Sequence, residues 1–161
     1  MSAVDLSSLL LIAAGALEQR VLDRLEEAGH PSVRSSHGFV FQVLLRSEPT
    51  VTELARELGI TQQGASKAVA ELERLGYVER RRDAGDARVR RLALTERAHD
   101  VIEVARRTRQ EFERELEGEV GADALGAARG VLTVATRVLD VAEPIDRHAV
   151  PMPASANLDG R

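Results

Sequence analysis

No cysteine occurs among the 161 residues, which removes disulfides, thiolate zinc sites and thiol-based oxidant sensing from consideration. Aromatic residues are nearly as scarce, at 2%. Leu, Ala, Val, Glu and Arg dominate instead, a composition that suits helices packed through aliphatic stripes better than a β-sandwich. Long hydrophobic runs are missing too. The stretch Leu9 to Ala14 is too short to span a bilayer and no cationic segment precedes it, so neither a transmembrane helix nor a secretory signal is expected, and a cytoplasmic protein is. Lysine is almost absent, with Lys67 the single example beside 21 arginines. No Gly-rich phosphate loop and no nucleophilic triad pattern occurs, so an enzyme is not expected and no cofactor is implied.

What is present is enough for one good core. At 43% hydrophobic and 30% charged residues the chain can fold as one compact unit or as its dimer, and it is too short for two large domains. The net charge of -4 argues against a generic nucleic-acid coat protein, so the distribution of charge matters more than its sum. Between Tyr77 and Thr95 six arginines (Arg80, Arg81, Arg82, Arg88, Arg90, Arg91) face only three acids (Glu79, Asp83, Asp86). Acid elsewhere outweighs that local excess.

Apolar periodicity divides the chain. Leu6, Leu9, Leu10, Ala13, Leu17, Val21 and Leu25 recur at spacings of three and four, which predicts a helix near residues 5–28, stopped by Gly29, His30 and Pro31. That helix is longer than a small core needs, so part of its stripe is expected to pack on another chain. A second helix is predicted over about 36–46, with Phe39, Val40, Val43 and Leu44 inward, ending before Pro49. Two short helices follow, with Thr52 and Thr61 as their expected N-caps and Gly59 as the hinge between them. The second of the two turns Ala65, Ala68, Val69, Leu72 and Leu75 to one side, leaves Gln62, Gln63, Ser66 and Lys67 on the other, and closes at Gly76. Tyr77 to Arg82 and Arg88 to Leu94 then read as two strands around the turn Asp83-Ala-Gly-Asp-Ala87. Thr95 opens a further helix carrying Val101, Ile102, Ala105, Phe112 and Leu116, interrupted between Gly118 and Gly121. A last helix is predicted over 124–141. From Pro144 onward proline and small polar residues predict a disordered tail.

The chemistry concentrates in the middle. A helix-turn-helix sets its second helix across the major groove, where the N-terminal residues of that helix meet base edges. Gln62 and Gln63 can pair with adenine, Ser66 can reach a phosphate or base, Lys67 can donate to guanine or phosphate, and the helix start at Thr61 offers its positive end to a phosphate. The same residues also suit a capped amphipathic helix showing polar groups to solvent. An arginine-loaded hairpin directly afterwards favours the DNA reading, because such a hairpin can reach the neighbouring minor groove with Arg88 at its tip, flanked by Arg81, Arg82 and Arg90. Asp86 can bond to N–H groups of the turn or hold a nearby arginine extended.

Together, Thr52-Glu-Leu-Ala-Arg-Glu-Leu-Gly59, Leu72-Glu-Arg-Leu-Gly-Tyr-Val78, the wing pattern Asp83-x-x-Asp86-x-Arg88 and Leu94-Thr95 resemble the MarR-type (multiple antibiotic resistance regulator) winged helix-turn-helix repressors. The resemblance covers about residues 5–142. It implies a mostly α fold with a small β-hairpin wing, in which residues 1–34 and 96–143 supply dimerisation helices and 35–95 the winged DNA-binding domain, ahead of a tail over 144–161. It further implies a homodimer on successive major grooves of a pseudo-palindrome in double-stranded DNA, with Arg88 entering the minor groove and Asp86 supporting it. Family members often release DNA when a small phenolic or lipophilic effector binds between the dimer region and the DNA lobe, and His37 and Phe41 are the candidate residues for such a pocket. Ala98 departs from the glycine frequent in the family just inside the helix after the wing, a change that favours helix.

Other groups are weaker candidates. His30, His37, His99 and His148 are scattered and do not form a metal-ligand pattern. Glu111, Glu113, Glu115, Glu117 and Glu119 fan around a helix and read as a solvated or dimer-edge face rather than a catalytic pair. The competing reading is a winged-helix protein-interaction module without DNA binding, which the negative net charge permits.

Overall fold

The computed structural model describes residues 4–140. The predicted tail over 144–161 and the end of the last predicted helix lie outside the described residues. Among the described residues, six helices and one hairpin run in the order α1 (Leu6–Glu27), α2 (Ser35–Leu44), α3 (Val51–Leu58), α4 (Gln62–Arg74), β1 (Val78–Arg82), β2 (Arg90–Leu94), α5 (Glu96–Val120) and α6 (Ala122–Val138). This is the winged helix fold expected from the sequence.

Caps set most of the boundaries. The Asp5 carboxylate accepts the Ser8 N–H at 2.9 Å and its hydroxyl at 2.7 Å, starting α1. Helix α3 starts earlier than expected. Its N-cap is Thr50 rather than Thr52, because Thr50 Oγ1 accepts the Glu53 N–H at 3.3 Å while Glu53 accepts the Thr50 N–H at 2.8 Å, a reciprocal box that Thr52 has no partner to form. Gly59 closes α3 at φ +68°, a left-handed conformation that costs glycine little. Thr61 then caps α4 through the Gly64 N–H at 3.1 Å. Gly76 leaves α4 at φ +78°, and the Gly76 and Tyr77 N–H groups donate to the carbonyls of Glu73 and Leu72.

The core forms where α2, α3 and α4 meet the base of the hairpin and the start of α5. Val40, Leu54, Val69, Leu72, Tyr77, Leu92 and Ala98 are all buried there. The strands pair antiparallel from Val78↔Leu94 to Arg82↔Arg90. The Leu92 N–H also donates to the Pro49 carbonyl at 2.8 Å, joining the hairpin base to the α2–α3 connection. Helices α1 and α5 pack along each other below this lobe. Arg20 holds Glu115 through two bonds of 2.7 and 2.6 Å, and the guanidinium keeps that carboxyl below its ordinary range. Glu113 pairs with Arg129 of α6 at 3.1 Å. Two of the alternating α5 glutamates are therefore ion-pair partners on an exposed face.

Two features distinguish the ends of the chain from its middle. Only Val21 and Leu25 of α1 are buried, and α6 buries no residue at all. Leu6, Leu9, Leu10, Leu11 and Ile12 on α1, and Val131, Leu132, Val134, Val138 and Leu139 on α6 and its cap, are exposed in the single chain. No helix among the described residues is long and apolar enough to cross a membrane.

Candidate nucleic-acid interface

Helix α4 presents two unlike faces. Ala65, Ala68, Val69 and Leu72 are buried, whereas Thr61, Gln62, Gln63, Ser66 and Lys67 are exposed on the side away from the core. The exposed residues crowd the first turn and a half, where side chains of a docked helix reach furthest and where the helix end is positive. Four of them carry donors or acceptors that suit base edges, and the small Ser66 leaves room for close approach.

The wing sorts its six arginines into two groups. Arg80 is bonded to Glu73 of α4 at 2.9 Å, Arg81 to Glu79 at 2.7 Å and to Glu48 at 3.1 Å, and Arg91 to Asp83 and, at 3.4 Å, to Glu53. Arg82, Arg88 and Arg90 form no ion pair among the described residues and are exposed. Arg82 and Arg90 are cross-strand partners and so share one face at the distal end of the hairpin, next to the turn that carries Arg88. Arg81, grouped with these cations from the sequence, lies against two carboxylates, Glu79 and Glu48.

The turn itself is built by carboxylates. Asp83 Oδ1 accepts the Gly85 N–H at 2.8 Å and the Asp86 N–H at 3.1 Å, and Asp86 Oδ1 accepts the Arg88 N–H at 2.9 Å. Asp86 thus supports Arg88 through its backbone. Sequence reasoning gives Asp83 no role beyond the wing pattern, yet an Asp two residues before a Gly is a local turn signal. The Arg91 guanidinium, followed by the two turn N–H groups, holds the Asp83 carboxyl below its ordinary pKa.

His37 and Phe41 lie inside the lobe rather than along an open cleft. Phe41 meets Tyr77 edge-on at 6.0 Å between ring centres. His37 is 1% exposed. Its Nδ1 accepts the Arg34 N–H at 3.2 Å at the start of α2, and its Nε2 lies 3.8 Å from Glu71 of α4, which Arg34 also binds. Burial, reinforced by the Arg34 charge, pushes the His37 pKa below its ordinary value of 6.5. Below pH 6.5 the unfolded chain therefore takes up a proton that the folded chain refuses, so stability is full above that pH and falls as pH drops through 6.5 towards the folded pKa. Replacing His37 by Gln is expected to flatten this leg of the stability profile between about pH 7 and 5, measured by urea unfolding; an unchanged slope would rule out His37 as its source.

His30 is also buried, with Tyr77 Oη at 3.1 Å from Nδ1 and Asp100 Oδ2 at 2.8 Å from Nε2. Asp100 can only accept, so Nε2 carries a proton. Arg97 lies over the Tyr77 ring at 5.0 Å and donates to the Gly29 carbonyl at 3.1 Å. This histidine joins the end of α1 to the lobe and to α5. Among the described residues no group of three His, Asp or Glu side chains is arranged to hold a metal ion.

Residues 35–89 match the family model of the MarR family. No curated protein sequence matches the chain. Among solved structures, an S. aureus MepR–DNA complex is similar at a TM-score of 0.67 and 21% identity, covering 83% of this chain and 98% of that one. Streptococcus pneumoniae FabT in complex with DNA is similar at 0.67 and 19%, covering 83% and 94%. YusO from Bacillus subtilis is similar at 0.63 and 19%, covering 85% and 99%.

Proposed function

From the match of residues 35–89 to the MarR family, we propose that this chain is a sequence-specific DNA-binding transcriptional regulator acting as a homodimer. The observation that carries the reading is the pairing of a polar-fronted α4 with three wing arginines, Arg82, Arg88 and Arg90, that have no counter-ion among the described residues. Helix α4 takes the major groove, with Gln62, Gln63, Ser66 and Lys67 at the bases and Thr61 at the backbone. Arg88 takes the adjacent minor groove. The same placement of DNA is supported by the fold shared with MepR and FabT, both of which are known as complexes with DNA.

Dimerisation is proposed through α1, α5 and α6, because the large apolar residues of the first half of α1 and of α6, with Val120 at the end of α5, find no cover within one chain. Two lobes related by a two-fold axis then meet a pseudo-palindromic operator, and occupancy of that operator represses. Release by a small effector completes the proposal. His37 and Phe41 touch α4 and Tyr77 respectively, so a ligand that displaced either would act directly on the reading helix or its exit.

The test is selection of bound fragments from the source genome by the purified full chain, followed by titration of a selected fragment at several salt concentrations. A shared palindrome and an affinity that falls steeply with salt are expected. Absence of any salt-sensitive binding would overturn the reading in favour of a protein-interaction module.

A further inference from the structure

The wing tip extends beyond the apolar core: from Glu79 to Arg90, every residue but Asp83 and Val89 is exposed. Apolar burial holds the hairpin only at its base, through Val78, Leu92, Ala93 and Leu94. What holds the tip is polar, and it converges on one side chain. Arg91, in β2, binds Asp83 at the start of the turn, donates to the Glu48 carbonyl at 3.1 Å in the α2–α3 connection, and reaches Glu53 at 3.4 Å in the N-terminal box of α3. Its cross-strand neighbour Arg81 adds a second tie to Glu48 at 3.1 Å. The Arg91 and Asp83 side chains are 36% and 22% exposed, so the pair is partly shielded from solvent.

Each partner of Arg91 already organises something else. Asp83 gathers the Gly85 and Asp86 N–H groups and thereby shapes the turn that carries Arg88. Glu53 closes the box with Thr50 that starts α3, the helix against which α4 packs. One guanidinium therefore joins the fold of the wing tip to the fold of the helix-turn-helix. Its planar fork of five donors can serve carboxylate, carbonyl and carboxylate together, which a lysine ammonium on a mobile stem does less well.

We propose that Arg91 is a positioning residue, which through Asp83 fixes the wing tip relative to α3 and α4 so that Arg88 and the reading helix meet adjacent grooves as one rigid unit. The inference rests on the regulator reading for its effect on DNA, and on the chain alone for its effect on the wing. Because the Arg91 donors are committed within the chain, it acts through Arg88 instead of contacting phosphate itself.

The experiment has two arms on the full-length protein. In the absence of DNA, ¹⁵N relaxation is measured at the amides of Gly85, Asp86 and Ala87 in the parent chain, in Arg91→Met, which keeps the apolar stem, and in Asp83→Asn, which keeps an acceptor for the turn but loses the charge. Both variants are expected to loosen the tip, and an unchanged tip in Arg91→Met overturns the proposal. With a selected operator fragment, Arg91→Met is expected to weaken binding on the order of tenfold, and to weaken it by less than about threefold when Arg88 is already alanine. Arg91→Lys is expected to recover only part of the loss. Losses from Arg88→Ala and Arg91→Met that multiply in full would make Arg91 an independent DNA contact and overturn the positioning role. If the parent chain binds no DNA, the regulator reading falls, and the relaxation arm decides the wing lock by itself.

Discussion

Replacing Arg88 by alanine is expected to weaken operator binding by about one to two orders of magnitude, the range of ~1–3 kcal/mol for a lost groove-reading arginine. The reason lies in what the other wing cations are doing. Arg80, Arg81 and Arg91 are each committed to carboxylates of the same chain, so their removal perturbs the scaffold before it touches DNA. Arg88 carries no such bond on its side chain among the described residues, and Asp86 and Asp83 together shape the turn that projects it. Its loss is also expected to reduce the slope of log affinity against log salt by ~1, since one fewer cation displaces counter-ions. Thermal unfolding should hardly change, because an exposed side chain with no ion pair among the described residues contributes little to stability, and alanine keeps the backbone N–H that Asp86 accepts. Fluorescence titration over a series of salt concentrations measures the affinity and its slope, and an affinity equal to that of the parent chain would remove the wing from the reading mechanism.

The second large effect concerns the helices that one chain leaves uncovered. The named apolar residues of α6 and its cap are between 43% and 77% exposed, and Leu10 and Leu11 of α1 are 37% and 76% exposed. Exposed apolar surface of this kind is unfavourable in water at ~25 cal/mol per Å², and the proposed association with a second copy would cover it. Leu132→Asp combined with Leu10→Asp places two carboxylates on that surface and is expected to give folded monomers in sedimentation velocity, with the helical content of the parent. Operator affinity should then fall by roughly 10²-fold or more, because each lobe must find its half-site without the effective concentration supplied by its linked partner. A variant that stays dimeric, or a monomer that binds as tightly as the parent, would contradict the assignment of these helices.

Much of this was legible in the sequence because the signals are local. Thr61, Gly59, Gly76 and Thr95 announce helix ends through their own side chains or backbone freedom, and the α4 stripe of Ala65, Ala68, Val69 and Leu72 is a direct consequence of helical periodicity. The shift of the α3 cap from Thr52 to Thr50 shows where such signals compete: both threonines are suitable, and Glu53, three residues after Thr50, decides between them. The break before the last helix was similarly ambiguous among Gly118, Gly121 and their neighbours, and Gly121 alone makes it.

The partners of the wing arginines were not legible, for a different reason. Arg91 meets residues 38 and 43 positions earlier, and nothing in the spacing of charges tells which arginine of six will turn inward. Only the register Arg81↔Arg91 and the approach of the hairpin base to Pro49 place those two side chains over Glu48 and Glu53. The same holds for His30, whose bonds to Tyr77 and Asp100 join residues far apart in sequence. Local chemistry wrote the elements, and tertiary geometry distributed the charges.

Hydroxyl-radical footprinting of the full chain on a selected operator tests the central claim most directly, because the reagent reports minor-groove and backbone access at single-nucleotide resolution. A two-fold pattern is expected, with half-site centres about 10 bp or a multiple of that apart. Minor-groove protection should flank each half-site in the parent chain and vanish with Arg88→Ala. Symmetric protection that lacks the flanking minor grooves, or that persists there without Arg88, would contradict a reader built from α4 and the wing.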